Sequence, residues 1–264
     1  MSERSPRVWD ANERRALGRS FDSAAREYEA GRPGYPDELI DWWASLGAFP
    51  PGGRVLDLAA GTGKLTRALL GRGVDVVAVE PLAGMRAELR SVPALAGIEV
   101  LEGAAEAMPL PSASVDAVVV GQAFHWFDPT VALPEIARVL RPGGGLGLAW
   151  NDDDLDGAPA WVRLVHERKE SIGGGNICLA VEPSQRAVDG SGLFELLTAA
   201  AFRWKQPTTA AAALDSLASR SYVIAMDDEA RRDLLAEVVA TIGASGDTPI
   251  DHPLITAAFW AARA

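Results

Sequence analysis

Residues 55–70 read VLDLAAGTGKLTRALL: an apolar run, a glycine-bearing turn at Ala59-Ala60-Gly61-Thr62-Gly63, and then a helix-like pattern. The run shows little polar alternation, as a strand buried on both faces requires. Glycines at 61 and 63 let the main chain approach a ligand with no Cβ in the way. A strand feeding a helix through such a turn is the opening unit of a parallel α/β sheet, and it sets the turn at the carboxyl end of the strand, facing the ligand crevice.

Working outward, residues 54–151 repeat the alternation. RVLDLAA (54–60) reads as the first strand, GKLTRALLGRG (63–73) as a helix, VDVVAVE (74–80) as the second strand and LAGMRAELRSV (82–92) as the next helix. IEVLEGAA (98–105) and VDAVVVGQ (115–122) supply strands three and four. TVALPEIARVL (130–140) is a helix ended by RPGGG, and LGLAWN (146–151) is strand five. These mostly continuous apolar strands predict a Rossmann-like, doubly wound, mostly parallel α/β sheet. Residues 1–50 predict an N-terminal helical lid in which GRPGYP follows the helix FDSAAREYEA and Asp37 caps DELIDWWASLG. Residues 51–151 form the Rossmann-like core, with PPGG at 50–53 as the linker into it.

Residues 152–264 are expected to complete the sheet and to cover the substrate with insertions. NDDDLDG (151–157) reads as an acidic turn, SIGGGNICLAVEP and VDGSGLF as glycine-bearing segments, and DDEARRDLLAEVVATIG as a helix. FRWKQPTTA (202–210) and LITAAFWAARA (254–264) read as the last strands.

At 264 residues, 48% hydrophobic and 23% charged, the chain is long and apolar enough to bury a large core. No apolar run approaches the roughly 18–20 residues that span a bilayer. The opening residues carry charges throughout and no apolar leader region, so a cytoplasmic protein without a membrane role is expected. The single cysteine, Cys178, rules out an internal disulfide framework. A net charge of −11 disfavours nucleic acid as a partner, because its binders cluster Lys and Arg. Arg14-Arg15 and Arg231-Arg232 both lie close to acids and read as solvated helix faces.

Glu80 closes the second strand 17 residues after Gly63. An acid there can accept hydrogen bonds from both hydroxyls of a ribose, so turn and acid together read as an adenosine-type site. A nicotinamide site would want G-x-G-x-x-G, and Thr66 stands where the third glycine belongs. Asp57, two residues before the turn, suits a cationic amine better than a pyrophosphate.

With these residues in place the chain resembles the class I S-adenosylmethionine-dependent methyltransferases, of the methyltransferase type 11 kind, from about residue 20 to 151. DLAAGTG (57–63) is similar to the family's D-x-G-x-G-x-G turn, with Ala59 in place of its first glycine. AVEPLAGM (78–85) is similar to the second-strand acid and the helix behind it. GAAEAMPLPSASVDAVVVGQAFHWF (103–127) and EIARVLRPGGGLGLAWN (135–151) resemble the segments around strands four and five. FDSAAREYEAGRPGYP (21–36) resembles a lead-in of one branch.

The resemblance implies S-adenosylmethionine as the cofactor, S-adenosylhomocysteine as its product, and methylation on O, N or C; the acidity, the size and the lack of a basic groove favour a small molecule as the acceptor. Asp57 and the backbone of Ala59, Gly61, Thr62 and Gly63 would receive the methionine portion, and Glu80 the ribose. Pro81 and Met85 would pack near the adenine, Ala105 and Glu106 would border its edge, and Gln122 and Ala123 would line the cofactor after strand four. Tyr28 and Arg32 would close over it from the lid, Arg32 pairing with its carboxylate. Ala104 stands where the family often has Asp, which removes one side-chain contact to the adenine amine.

In-line methyl transfer needs alignment above all, and a base only where the acceptor carries a proton that must leave. His125 is the base candidate; lining the cleft, or packing against a backbone carbonyl, are its other readings. Trp126 and Trp43 are the candidates to touch substrate, though either also suits packing. His166 reads as solvated on a helix, His252 as a loop residue before a proline and Cys178 as buried, and Asp152-Asp153-Asp154 reads as a solvated turn, so no metal site is expected. A nicotinamide oxidoreductase, and a protein that binds the sulfonium cofactor for regulation or other chemistry, are the alternatives.

Overall fold

The computed structural model describes residues 32–171, 178–218, 220–224, 226–243 and 246–264. The helix expected at FDSAAREYEA, and Tyr28 within it, lie outside the described residues. The chain order is α1 (Asp37–Ser45), β1 (Arg54–Leu58), α2 (Lys64–Leu69), β2 (Asp75–Glu80), α3 (Ala83–Ser91), β3 (Glu99–Glu102) and β4 (Val115–Gly121). A one-turn 3-10 helix (Phe124–Trp126), α4 (Pro129–Val139), β5 (Leu140–Asp153), α5 (Ala160–Ser171) and α6 (Cys178–Asp189) follow. The chain closes with β6 (Thr198–Thr209), α7 (Ala210–Ala218), α8 (Ser221–Ile224), α9 (Asp228–Ile242) and β7 (Pro249–Ala262).

All seven strands form one sheet in the order β3-β2-β1-β4-β5-β7-β6. The first five run parallel, and β7 is antiparallel to both neighbours. The strand order reverses between β1 and β4, and that switch point opens a crevice at their carboxyl ends. Continuous apolar strands feed both faces of the sheet. Leu56, Leu58, Val77, Val79, Val118, Val120, Leu146 and Leu148 pack into one cluster, while Val55, Val76, Ala117, Val119 and Ala149 face the other. A third cluster, built on Val162, Val165, Leu217, Leu234 and Val238, joins α5, α7 and α9.

Trp43 fastens α1 to the second face. It has no exposed surface, donates its indole N–H to the Phe259 carbonyl at 3.0 Å, and fills the space that a Cβ on Gly147 would need. Burial on all sides makes it a core pillar and removes it from the surface a substrate can reach, which corrects its reading as a candidate to touch substrate. Asp37 is not the cap of α1: the N-cap is Pro36, and Asp37 lies in the first turn, paired at 2.7 Å with Arg72 of the loop after α2.

Strand lengths depart furthest from expectation beyond Leu140. β5 starts at Leu140, takes in the whole RPGGG segment and runs 14 residues, through Asp153, and β6 begins at Thr198 and β7 at Pro249. Their polar ends look like turn when read singly. They pair continuously because β6 and β7 form a long antiparallel ribbon whose partners satisfy each other's backbone groups. Asp152 and Asp153 are therefore strand residues. The expected glycine-bearing segment at 171–183 contributes the start of α6, and Pro183 is accommodated inside that helix.

Candidate functional site

The turn after β1 has a demanding backbone. Ala59 sits at φ 57°, Gly61 at 57° and Gly63 at 87°, all in the left-handed region. For Ala59 this costs roughly 1–2 kcal/mol relative to glycine, so the departure from the D-x-G-x-G-x-G pattern is absorbed as strain and leaves the turn in place. A Cβ on Gly61 would enter open space, whereas one on Gly63 would run into Leu95 and Leu89. Gly61 thus presents bare backbone to the crevice, and Gly63 lets α2 pack. The Thr62 hydroxyl is buried and finds no hydrogen-bond partner among the described residues, so the turn holds one polar atom in need of a ligand or water.

Two carboxylates flank this turn. Asp57 of β1 is buried and accepts a hydrogen bond from the Thr66 hydroxyl at 2.5 Å. Burial pushes its pKa up to about 7, and the neighbouring Glu80 charge adds to the rise while Thr66 opposes it. Thr66 therefore has its own task where a third glycine would sit. Glu80, at the end of β2, is also buried, and two backbone donors fix its orientation: Gly61 N–H to Oε2 and Leu82 N–H to Oε1, both 2.9 Å. Two carboxyl groups at adjacent strand ends favour a ligand that brings hydroxyl donors for Glu80 and a cation that holds Asp57 ionised.

Arg86 belongs to no motif legible in the sequence, and it locks this corner. Its guanidinium donates to the carbonyls of Glu80 (2.9 Å) and Pro81 (2.8 Å) and pairs with Glu102 at 2.6 Å. The available signal was an arginine on the buried face of the helix after the strand-end acid. Met85 is buried on the same helix, whereas Pro81 is exposed. After β3, Ala105 is buried, and the Glu106 carboxylate accepts the Asp128 N–H at 2.8 Å, fixing the loop that starts α4.

After β4, Gln122 adopts φ 58° and donates its side-chain amide to the Asn151 carbonyl at 2.8 Å, with Ala123 half-buried beside it. His125 and Trp126 belong to the 3-10 turn, with ring centroids 4.9 Å apart. The Nδ1 of His125 accepts the Trp150 indole N–H at 3.4 Å, which puts the ring proton on Nε2. Protein surrounds the ring although solvent reaches it. That desolvation lowers its pKa, solvent contact moderates the shift, and the imidazole is neutral at pH 7. Arg32 is half-buried at the start of the segment leading into α1.

The acidic run does not converge on a cation. Asp152 pairs with Lys169 at 3.1 Å, Asp153 with His252 at 2.8 Å and Arg220 at 3.5 Å, and Asp154 with Arg203 at 2.6 Å. Burial alone would raise the pKa of Asp153, but Arg220, His252 and Lys169 outweigh it and hold the carboxyl well below the usual range. This is a buried ionic cluster tying α5 and the α7–α8 turn to the sheet, and it replaces the expected solvated turn. No group of three His, Cys, Asp or Glu among the described residues is arranged to hold a metal, and no described helix is long and apolar enough to cross a membrane.

A family model described as a methyltransferase domain matches residues 56–148, the stretch from β1 to β5. An uncharacterised methyltransferase of Mycobacterium tuberculosis is 45% identical over 225 residues, covering 85% of this chain and 86% of its own. An uncharacterised methyltransferase of Schizosaccharomyces pombe is 34% identical over 181 residues, covering 68% and 70%. Among solved structures, one from Anaeromyxobacter dehalogenans, provisionally classed as a type II methyltransferase, superposes with a TM-score of 0.66 at 25% identity and covers 88% of this chain and 97% of its own.

Proposed function

The chain belongs to the class I S-adenosylmethionine-dependent methyltransferases, and we propose that it binds S-adenosylmethionine in the crevice between β1 and β4 and methylates a small-molecule acceptor. The observation that carries this reading is the pair of buried carboxylates, Asp57 and Glu80, held on either side of a bare-backbone turn with one unsatisfied hydroxyl. An adenosyl amino acid brings matching groups: ribose hydroxyls for Glu80, an ammonium for Asp57 and a carboxylate for Thr62 and backbone N–H groups. A nicotinamide dinucleotide would set a pyrophosphate where Asp57 stands, and Thr66 supports that carboxylate.

When bound, the cofactor supplies an electrophilic methyl on a sulfonium. The chain's task is to hold and exclude. Gly61 admits close approach, Arg86 and two backbone donors keep Glu80 aimed, and Gln122 and Ala123 wall the side toward the acceptor. Pro81, Met85, Ala105 and Glu106 frame the adenine end, and Tyr28 and Arg32 close from the lid. His125 faces the acceptor side as a neutral imidazole. It serves as a base for a protic acceptor once Nδ1 leaves Trp150 or the tautomer changes, and otherwise as an Nε2–H donor. Residues 51–151 carry the cofactor and residues 152–264 cover the acceptor, with Trp126 at the boundary.

The test is transfer of a labelled methyl group from S-adenosylmethionine to panels of small carboxylic acids, amines, thiols and phenols, run beside protein and nucleic-acid panels. Label in a small-molecule panel that depends on Glu80 is expected. Label only in a macromolecule panel would overturn the acceptor class.

A further inference from the structure

The segment 32–36 crosses the carboxyl ends of the central strands, and a relay of amides from the second half of the sheet holds it there. Asn151 of β5 donates its side-chain N–H to the Gly34 carbonyl at 2.8 Å, and Gly34 N–H donates to Gln206 Oε1 of β6 at 3.0 Å. Asn151 is buried and is itself aimed: its Oδ1 accepts the Thr256 hydroxyl at 2.6 Å, and Thr256 Oγ1 accepts the Trp204 indole N–H at 2.9 Å. The Asn151 carbonyl in turn receives the Gln122 amide at 2.8 Å. One residue after Gly34, the Tyr35 hydroxyl lies against Gly121, the last residue of β4, where any Cβ would collide with it; Leu65 of α2 flanks the same spot. The strap thus delivers a phenol to the strip between β4 and the turn after β1.

We propose that Tyr35 forms part of the wall of the cofactor crevice at the amino-acid end, and that Asn151 is the positioning residue that seats it there through Gly34. This rests on the reading of the crevice as an S-adenosylmethionine site. The physical reason is rigidity: a tyrosine on a strap with no regular structure of its own can present a hydroxyl reproducibly only if the strap's backbone is fixed. Two hydrogen bonds on Gly34, from two different strands, do that. The family-like turn and acid make half of the crevice, and the strap, fixed by β5 and β6, closes the other side.

The experiment uses the full chain, with S-adenosylhomocysteine as the probe, and the variants Tyr35→Phe, Asn151→Asp, Gln206→Ala and the Tyr35→Phe/Asn151→Asp double. Asn151→Asp keeps the acceptor for Thr256 and sets a carboxylate oxygen against the Gly34 carbonyl, so that bond is lost to repulsion; Gln206→Ala cuts the second bond from a different strand without adding charge. Hydrogen exchange of the peptide spanning 32–40 is followed without ligand, and affinity by calorimetry. Faster exchange is expected in Asn151→Asp and Gln206→Ala but not in Tyr35→Phe. Affinity is expected to fall about 3- to 10-fold in Tyr35→Phe and in Asn151→Asp, the scale of one hydrogen bond. The double variant is expected to lose no more than the larger single, because Asn151 acts through Tyr35. Unchanged exchange in both strand variants overturns the positioning role. Unchanged affinity in Tyr35→Phe, or additive losses in the double, overturns the crevice role. If the wild type fails to bind S-adenosylhomocysteine, the cofactor reading falls and the crevice role with it, while the exchange result still decides the strap.

Discussion

Replacing Asp57 with asparagine is expected to stabilise the protein while damaging its site. Asp57 is 1% exposed and its carboxyl is pushed up to about 7 from an ordinary 3.8, mainly by burial. At about 1.4 kcal/mol per pK unit, holding the ionised group in this position costs up to about 4 kcal/mol. The sign follows from proton binding. The folded carboxyl keeps its proton up to about pH 7, whereas the unfolded one releases it near 4, so the penalty develops as pH rises from 4 to 7 and is complete above 7. The amide in Asp57→Asn would keep an acceptor for Thr66 and carry no charge at any pH. At pH 8 the variant is therefore expected to be more stable by about 2–4 kcal/mol, a rise in Tm of roughly 5–12 °C for a chain of this size. At pH 4 the two proteins are expected to melt alike. Affinity for S-adenosylmethionine should fall in the same variant, because a cation loses its counter-charge. Calorimetric melting from pH 4 to 8 is the assay. A difference that stays constant with pH, or a variant less stable at pH 8, would refute the burial argument.

Ala59→Gly relieves a left-handed alanine and is expected to raise stability by about 1 kcal/mol, read from denaturant unfolding, with cofactor affinity retained. Glu80→Ala is expected to weaken S-adenosylhomocysteine binding by about 1.5–3 kcal/mol, the range for hydrogen bonds to a charged group; unchanged affinity would remove the ribose assignment. Asp153→Ala leaves Arg220 and His252 without their shared carboxylate and should cost about 3–5 kcal/mol at pH 7. Because the folded pKa of Asp153 is depressed, that cost should shrink as pH falls below the ordinary carboxylate range, a trend that unfolding at pH 7 and pH 3 would reveal. His125→Ala is expected to lower turnover at unchanged S-adenosylhomocysteine affinity. Parallel losses of melting temperature and turnover would favour the packing role.

The core of the fold was legible because its central strands are buried on both faces and so read as mostly unbroken apolar runs, from Val55 to Leu148. The polar strand ends were not. Asp152, Asp153 and Pro249 look like turn residues in isolation, and only the β6–β7 ribbon and distant charged partners make them strand. His252, which meets Asp153, lies 99 positions away in sequence. The corner around the turn was legible where short segments build it, as at Asp57, Gly61 and Glu80. The site was illegible where distant segments meet. Arg86 clamps Glu80 through backbone carbonyls that carry no sequence signature, and Asn151 reaches Gly34 across 117 positions. Trp43 was ambiguous for a related reason: an aromatic near a lid suits a pocket wall or a pillar equally, and the glycine at position 147 that selects the pillar lies far along the chain, on β5.

The most direct test of the central claim is calorimetric titration of the full chain with S-adenosylmethionine, S-adenosylhomocysteine and NADH in parallel. Stoichiometric micromolar binding of both sulfur compounds and none of NADH is the predicted result. Binding of NADH alone would contradict the assignment of the crevice and every residue role built on it.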